Sequence, residues 1–167
     1  MIKAGIISDT HLTGLNKDFI QRVRHCFADC QVIIHAGDLT SISLLEAFAD
    51  KTVYAVHGNM CNGAAWSALP DQLGFQLQGF SFGLCHGAGF GRAEKQIENG
   101  LWELFPEADC LIYGHTHQAA CHRIGDKLII NPGSFQGTGR YGAPGTYCIL
   151  EIDQQLKPAL HEVPQLS

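Results

Sequence analysis

Short apolar runs, each ending in polar residues, recur along the first half of the chain. These runs cover residues 2–8, 31–36 and 52–56. Their length and their content of Ile and Val favour buried strands. The segments between them, 16–30 and 41–49, carry apolar residues at three- and four-residue spacing, which predicts helices, and Asn16 is placed to cap the first. Strands that alternate with helices in this way predict βαβ units and a parallel sheet.

Apolar and polar residues alternate in parts of the second half, which favours hairpins. Residues 74–85 alternate around Gln78-Gly79, and Gly125-Asp126 joins strands predicted at 119–124 and 127–130. The other predicted elements are strands at 109–113, 146–152 and 159–163, a helix at 92–105 and a surface loop or lid at 60–71. We therefore expect a mostly antiparallel second half and, for the whole chain, an α/β sandwich of two mixed β-sheets with outer helices.

The composition is that of a globular protein. A chain of 167 residues with 46% hydrophobic and 16% charged residues predicts one domain over residues 1–167 and excludes a disordered or coiled-coil chain. A formal net charge of −5 without a Lys/Arg cluster argues against stable nucleic-acid binding. No apolar run reaches transmembrane length and the start lacks a signal-peptide pattern, so no membrane attachment is expected. Seven cysteines without CxxC spacing predict reduced thiols and a cytoplasmic location.

Carboxylate, amide and imidazole side chains follow the predicted strands. In chain order they are Asp9, His11, Asp38, Asn59, His86, His115 and His117. Asp9 and His11 are two positions apart, as are His115 and His117, so each pair points to one side of an extended chain. Ligands of parallel sheets collect at the carboxyl ends of the strands. For Asp9 and His11 taken alone, a turn cap and a solvated histidine are the alternative.

The chemistry of this set indicates a metal site. Oxygen donors and imidazoles without thiolates suit Mn, Fe, Zn or Ni. Seven such residues exceed what one divalent ion needs. Two ions about 3.5–4 Å apart that share a carboxylate would use them all, and paired ions recur in phosphoester cleavage.

The same residues lie in motifs of a fixed order. The motifs are Asp9-Thr10-His11, Gly37-Asp38, Gly58-Asn59, His86 before Gly87, and Gly114-His115-Thr116-His117. This order resembles that of the calcineurin-like metallophosphoesterases. Asn131-Pro132-Gly133-Ser134 is similar to a motif of the small bacterial and archaeal phosphodiesterases of that superfamily. The resemblance runs from Ser8 to Ser134 and implies a four-layer α/β/β/α sandwich, the calcineurin-like phosphoesterase fold.

The resemblance also implies a dinuclear centre. Asp9, His11, Asp38 and His117 would hold the first ion, and Asp38, Asn59, His86 and His115 the second, with Asp38 as the bridge. Catalysis would fall to Asp38, Asn59 and His86, and Asn59 would also contact the substrate. The implied activity is hydrolysis of a phosphodiester, in a small molecule or nucleotide, by attack of a metal-bound hydroxide. Mn is the favoured cofactor, with Ni, Zn, Fe or Mg as alternatives, and assembly into a homo-oligomer stays open.

Met60 departs from the pattern of the family. Larger members place a histidine directly after the motif asparagine, where it can protonate the leaving oxygen, but here Met60 and Cys61 follow Asn59. A missing general acid lowers the rate by roughly 10²–10⁴ for poor leaving groups. Cys61 is interpreted as a loop residue, with a soft metal ligand or an oxidation-sensitive thiol as alternatives.

A second class of function is a non-catalytic interaction module, since the small retromer subunit of eukaryotes resembles this family and uses the fold as a scaffold. A third is a phosphate or nucleotide sensor that keeps its metals but turns over slowly, and Met60 supports it. All seven ligand positions hold competent residues, and this completeness favours the enzyme.

The Gly-rich segment 135–144 is predicted to form a rim that faces the substrate. Arg140 is the one cation in that segment, and a guanidinium can bind two phosphate oxygens at once. The alternative is a surface loop with a solvated arginine. His35 and His57 precede motif glycines and are interpreted as packed or bonded to backbone, with support of the metal ligands as the alternative. His25 is interpreted as solvated, and His122 and His161 are given no role.

Overall fold

Two five-stranded mixed sheets organise residues 1–137 and 143–166, the part of the chain that the computed structural model describes. The strands of the first sheet are β1 (Ile2–Ile7), β2 (Val32–His35), β3 (Thr52–Ala55), β9 (Thr146–Ile152) and β10 (Leu156–Glu162). Those of the second are β4 (Gln72–Leu77), β5 (Phe80–Cys85), β6 (Cys110–Ile112), β7 (Ala120–Ile124) and β8 (Lys127–Asn131). The strand orders are β10-β9-β1-β2-β3 and β4-β5-β6-β8-β7.

The strand β1 lies at the centre of the first sheet. On one side it pairs in parallel with β2, where Ile6 lies opposite Ile34. On the other side it pairs antiparallel with β9, where Ile6 lies opposite Cys148. β2 and β3 are also parallel, so the predicted parallel unit of the first half is confirmed.

The centre of the second sheet differs from the expectation. The hairpins β4–β5 and β7–β8 are antiparallel as predicted, but β6 is parallel to both of its neighbours, β5 and β8. Helix α3 (Glu94–Leu104) connects β5 to β6, and such a crossover returns the chain in the same direction. The prediction of a mostly antiparallel second half is therefore wrong for this part of the sheet.

Helices lie outside the two sheets. Besides α3 they are α1 (Lys17–Cys26) and α2 (Gly63–Ala68), with 3₁₀ turns at Ile42–Phe48 and Ala88–Phe90. Asn16 caps α1 as predicted, because its Oδ1 accepts a hydrogen bond from Phe19 N at 2.8 Å. α1 ends before Phe27, short of the predicted end at residue 30. Among the described residues, no helix has the length and apolar character needed to cross a membrane.

Segment 60–71 was predicted to be a loop or lid, and it contains α2. Asn62 begins this helix, and its Oδ1 accepts a hydrogen bond from Ala65 N at 2.9 Å. Asn62-Gly63, which favours a turn, is here a capping residue followed by the first helical residue. The segment predicted as a helix at 41–49 is the longer 3₁₀ turn, with Ser41 at its start.

Three apolar clusters separate four layers. The cluster between the sheets contains fully buried residues of both, such as Ile34 of β2 and Ile112 of β6. Ile33 points to the other face of β2 and packs with Phe19 of α1. Leu101 of α3 belongs to the cluster on the outer face of the second sheet. Two mixed sheets flanked by helices confirm the predicted fold class.

Candidate metal centre

Five strands end at the same edge of the sandwich, where their following residues meet. These residues are Asp9 and His11 after β1, Asp38 after β2, Asn59 after β3, His86 after β5, and His115 and His117 after β6. The first sheet therefore supplies four members of the set and the second sheet three. The structure brings together, from both sheets, the residues that the sequence predicted to share one site.

Left-handed backbone conformations occur at five of these seven positions. The φ angles are 53° at Asp9, 48° at His11, 56° at Asp38, 67° at His115 and 61° at His117. A residue with a Cβ adopts this conformation at a cost on the order of 1–3 kcal/mol, and only where its surroundings impose it. Backbone hydrogen bonds contribute here, because Asp9 N donates to Gly37 O at 2.9 Å and His11 N donates to Asp38 O at 3.0 Å.

One group of ligand atoms is already gathered for a cation. Asp9, His11, Asp38 and His117 each offer one donor atom, and all four atoms lie within 4.8 Å of one another. Asp9 Oδ1 lies 3.1 Å from His117 Nε2 and 3.6 Å from His11 Nε2. His11 Nε2 lies 3.8 Å from Asp38 Oδ2. This is the set that the family resemblance implies for the first ion.

The donor atoms in this group fit a divalent cation. Asp9 Oδ1 is buried and makes no hydrogen bond with the described residues. An uncompensated buried carboxylate oxygen is unfavourable unless a positive charge lies beside it. The Nε2 atoms of His11 and His117 face each other at 3.3 Å. A cation between these oxygen and nitrogen atoms would satisfy all of them.

His86 connects this group to the other predicted ligands. Its Nδ1 lies 2.7 Å from Ala36 O, which can only accept, so Nδ1 carries a proton and Nε2 faces the site. That Nε2 lies 3.2 Å from Asp38 Oδ2. The Asn59 amide is oriented with its Nδ2 towards the same atom, 3.1 Å away, so that it can donate to His86 Nε2. The ring of His115 packs edge-on against His86 with centroids 5.2 Å apart.

The charges in the site shift the pKa values of its members. Burial raises the pKa of Asp9, but the imidazoles of His11 and His117 beside its carboxylate outweigh burial and hold that pKa well below its usual range. Burial lowers the pKa of His86, whereas the hydrogen bond with Asp38 and the charge of Asp9 raise it, and the net shift is upward. Asp9 is thus held ionised, as a cation ligand must be.

Side chains outside the seven positions fix Asp9 in place. Ser8 Oγ donates to Asp9 Oδ2 at 2.6 Å, and the backbone N of His115 donates to the same oxygen at 3.2 Å. Ser134 Oγ donates to Asp9 O at 2.9 Å. Asn131 Nδ2 donates at 3.1 Å to the backbone oxygen that precedes His115. The motif at 131–134 therefore holds the loops that carry these ligands, a role that its sequence alone does not reveal.

Two glycines permit the close approach of these loops. A Cβ on Gly114 would collide with Ser8 Oγ and lie 2.8 Å from Asp9 Oδ2. A Cβ on Gly58 would collide with Asp38 Oδ1 and lie 2.6 Å from Asp38 N. Both motif glycines are thus required where the backbone passes a ligand carboxylate.

Comparison with known proteins decides the family. Residues 2–155 match the profile of the calcineurin-like phosphoesterase superfamily domain. The chain belongs to that superfamily. The resemblance predicted from the motifs is therefore confirmed.

Two relatives and one solved structure show the range of this phosphoesterase superfamily. A "Probable metallophosphoesterase" of Methanothermobacter thermautotrophicus is 37% identical over 131 residues, 78% of this chain and 75% of that protein. A protein named as a phosphodiesterase of Methanocaldococcus jannaschii is 29% identical over 151 residues, 81% of this chain and 86% of that one. Vps29 of Entamoeba histolytica, solved in complex with Zn²⁺, has a TM-score of 0.72 at 20% identity, over 98% of this chain and 100% of that one. At that identity, the likeness to Vps29 concerns the fold.

In this phosphoesterase the residue after Asn59 acts through its backbone. Met60 N donates to Asp38 Oδ1 at 2.6 Å, while the side chain of Met60 is 56% exposed. Cys61 Sγ accepts a hydrogen bond from Gly58 N at 3.3 Å, which agrees with its interpretation as a loop residue. This hydrogen bond stabilises the turn and accounts for a cysteine at position 61 without a redox or metal-binding role.

His35 lies directly behind the ligand loops and is fully buried. Its Nδ1 accepts a hydrogen bond from Gly37 N at 3.1 Å, so its Nε2 carries the proton and donates to Thr10 Oγ1 at 3.2 Å. Burial lowers the pKa of His35 to about 4. The expected burial and backbone hydrogen bond are present, and the bond to Thr10 beside Asp9 adds the support of the ligand loops that the sequence analysis gave as the alternative.

Two other histidines have partners that the sequence analysis missed. His57 stacks on Trp66, with ring centroids 3.9 Å apart. His122 Nε2 lies 2.7 Å from Oε1 of the buried Glu98. Neither pairing has a local sequence signal, because in each case the partners belong to different elements. Arg140 lies outside the described residues, and its contact with the substrate stays a prediction.

Proposed function

We propose that this phosphoesterase is a hydrolase that depends on two divalent metal ions and cleaves phosphodiesters of small molecules or nucleotides. The observation that carries the proposal is the convergence of Asp9, His11, Asp38 and His117 around a buried carboxylate oxygen that has no hydrogen bond. Membership of the superfamily and a relative named as a phosphodiesterase support the type of reaction.

The first proposed ligand set is the group gathered in the structure, and the second is the set that the family resemblance implies. Asp9, His11, Asp38 and His117 would hold one ion, and Asp38, Asn59, His86 and His115 the other. Divalent ions in such pairs polarise phosphoryl oxygens and lower the pKa of bound water. Mn is the proposed resident ion, because oxygen and imidazole donors suit it, and Ni, Zn, Fe and Mg are the alternatives to compare.

The side chains of the protein would orient the reacting groups. Asp38 is fixed by Met60 N and lies beside His86 Nε2, so it is the carboxylate placed to join both ligand sets. His86 keeps its Nδ1 proton on Ala36 O and therefore presents a fixed ring face. Asn59 is the amide beside His86 that would contact a phosphate oxygen.

The wider setting forms part of the same proposal. We place residues 1–167 in one phosphoesterase domain that works in the cytoplasm, which the seven free cysteines support. The expected partner is the phosphoester substrate, with no stable binding of nucleic acid or membrane. A molar mass measured by analytical ultracentrifugation would show whether the protein forms a homo-oligomer.

The test combines metal analysis with hydrolysis. Chelator-treated protein is reloaded with Mn, Ni, Zn, Fe or Mg and assayed with bis(p-nitrophenyl) phosphate and p-nitrophenyl phosphate. The wild type should hold about two equivalents of metal and hydrolyse the diester.

Asp38→Ala should lose activity and occupancy of both ions, whereas His117→Ala and His115→Ala should each lose mainly one. Asp126→Ala, at an exposed carboxylate of a hairpin turn, is the matched control. Two full equivalents in Asp38→Ala would refute the bridging role.

A non-catalytic module with slow or no turnover is the second candidate. Met60, whose exposed side chain carries no proton to donate, is the observation that favours it. This candidate predicts metal binding without hydrolysis of either ester by any of the reloaded forms.

A further inference from the structure

A cavity of about 420 Å³ opens beside the proposed metal centre. We call it the Trp66 cavity, and its walls include His57, Asn59, Trp66, His86, Phe90 and Leu104. Its volume falls within the range of roughly 300–1,000 Å³ that is usual for small-molecule sites. Asn59 and His86 are also proposed metal ligands, so the cavity adjoins the metal centre and a substrate group could extend into it.

The other walls of the Trp66 cavity are mainly apolar. Trp66 is 53% exposed and Leu104 39% exposed, which is unusual for large apolar side chains that serve only the core. Phe90 adds a half-buried aromatic ring. Apolar side chains left in contact with water next to a polar site are typical of a surface that a ligand covers.

The indole of Trp66 is held as a flat stacking surface. His57 lies under it with centroids 3.9 Å apart and an interplanar angle of 28°. His57 itself is only 7% exposed and is therefore a fixed support. An indole that is supported on one side and exposed to a cavity suits stacking of a further ring.

The distance from the indole to the metal centre is also fixed. Asn62, which caps the helix of Trp66, donates from its backbone N to Thr40 O at 2.7 Å. Thr40 Oγ1 in turn donates to Met60 O at 2.9 Å. Thr40 follows Asp38 closely in the chain, so the stacking surface and the proposed bridging carboxylate belong to one bonded loop system.

We propose that the Trp66 cavity binds an aromatic ring carried on an ester group of the substrate. The preferred substrates are then phosphoesters that bear an aryl or heteroaryl group close to phosphorus. This inference rests on the proposed function, since it places the phosphate at Asn59 and His86. Three features carry it together: the shared wall residues, the exposed apolar lining and the supported indole.

Phosphonates test the cavity without the chemical step. Methylphosphonate, cyclohexylphosphonate and phenylphosphonate share one anionic head and have no ester bond to cleave. Their dissociation constants with the Mn-loaded protein, measured by calorimetry, therefore report binding and not the pKa of a leaving group. Phenylphosphonate should bind at least about tenfold more tightly than methylphosphonate, and several-fold more tightly than cyclohexylphosphonate, because stacking favours a flat ring.

Two variants locate the effect. Trp66→Ala should reduce the advantage of the phenyl group to less than about threefold, while the dissociation constant of methylphosphonate changes less than about twofold. Trp102→Phe is the matched control, since Trp102 packs under Lys127 and away from the cavity walls. Because the chain has 2 tryptophans, this control also leaves Trp66 as the sole source of indole fluorescence, which phenylphosphonate should quench. Phe90→Ala is a second cavity variant if Trp66→Ala lowers the melting temperature strongly.

The outcomes separate this inference from the proposed function. An active enzyme that binds all three phosphonates equally overturns the role of the cavity and leaves the hydrolase in place. Tighter binding of phenylphosphonate without hydrolysis of any ester supports the role of the cavity and overturns the proposed hydrolase. Equal phosphonate affinities together with altered sedimentation of Trp66→Ala would mean that the cavity accepts a side chain of a second copy, and would also overturn the proposal.

Discussion

His35 illustrates how much one buried residue contributes to the positioning of the ligands. Both of its ring nitrogens are used, one by Gly37 N and one by Thr10 Oγ1, and these partners adjoin Asp38 and Asp9 in the chain. A second proton on this ring would break the hydrogen bond from Gly37. The observed conformation of the loops that carry Asp9 and Asp38 therefore depends on the neutral form of His35.

We predict that protonation of His35 opposes folding in a defined pH window. The pKa is about 4 in the folded protein against an ordinary value of 6.5, so the unfolded chain binds more protons between these values. The contribution is fully present above pH 6.5 and is lost as the pH falls towards 4, by about 3 kcal/mol of unfolding free energy in total. Urea unfolding in the presence of chelator, from pH 7 to pH 4.5, measures the slope of unfolding free energy against pH for the wild type and for His35→Gln.

The variant should show a shallower slope than the wild type. His25→Gln, which removes an exposed histidine, is the control and should keep the slope of the wild type. Parallel stability curves for the wild type and His35→Gln would contradict the prediction.

The exposed side chain of Met60 leads to a prediction about leaving groups. With no acid at this position, esters with acidic leaving groups should be cleaved much faster than alkyl esters, by roughly 10²–10⁴ for the poorest leaving groups. A plot of log kcat against leaving-group pKa, for a series of substituted phenyl methyl phosphates, gives the dependence. A flat plot would mean that another residue supplies the proton or that chemistry does not limit turnover.

At these positions the sequence predicted the residue types, but the extended backbone expected for the two i, i+2 pairs was wrong. The i, i+2 spacing of Asp9 and His11 is local and therefore visible in the sequence. Their left-handed φ angles depend on hydrogen bonds to Gly37 and Asp38, which are distant in the chain. Long-range bonds of this kind leave no periodic pattern.

Among the elements, the connection from β6 to its loop is the most tightly constrained. Gly114 sits where the loop passes Ser8 and Asp9, and the space for a side chain is already filled by their oxygens. Directly after it, the backbone N of His115 donates a hydrogen bond to Asp9 Oδ2 and is not available for pairing between strands.

Gly114→Ala should impair metal binding more than it impairs folding. The added methyl group would displace the carboxylate of Asp9, and the metal affinity should fall at least about tenfold, as it does when partners of ligands are disturbed. Competition with a chromogenic chelator measures the affinity, and thermal unfolding in chelator measures the stability. Gly14→Ala is the control, since a Cβ there meets no atom of the described residues within 4 Å. Unchanged affinity in Gly114→Ala would show that Asp9 tolerates the shift.

The elements themselves were predictable where their signals are local. The cap at Asn16, the hairpin of β4 and β5 and the strand at 146–152 were all predicted from the sequence and are present. The parallel direction of β6 was not predicted, because direction follows from the path of α3 across the sheet and not from the three residues of the strand. The short helix α2 was missed because six residues carry too little periodicity to distinguish it from a loop.

For the whole molecule, the candidate metal centre joins the two sheets. Asp9, His11, Asp38 and Asn59 extend from the first sheet, and His86, His115 and His117 from the second. A cation held by Asp9 and His117 is therefore shared between two sheets that also meet through apolar packing and through hydrogen bonds such as that of His86 Nδ1 to Ala36 O.

We predict that metal binding protects both sheets against hydrogen exchange. Ligands that bind only the native state raise the free energy of every opening that breaks the site. Exchange measured with and without Mn should therefore slow in β2 and also in β6. The β4–β5 turn, far from the site, serves as an internal control. Protection confined to the first sheet would contradict a centre that spans both.

The central position of β1 has a consequence for protein synthesis. β1 leaves the ribosome before the strands on either side of it, and β2 follows soon, but β9 emerges only after every strand of the second sheet. Until then one edge of an apolar strand, with Ile6 opposite no partner on that side, is open to pairing with other chains. Nascent chains arrested before residue 146 should be digested readily by protease and should recruit chaperones, whereas chains extended beyond residue 163 by a linker should resist. The strand β9, made long after β1, thus protects the exposed edge of β1.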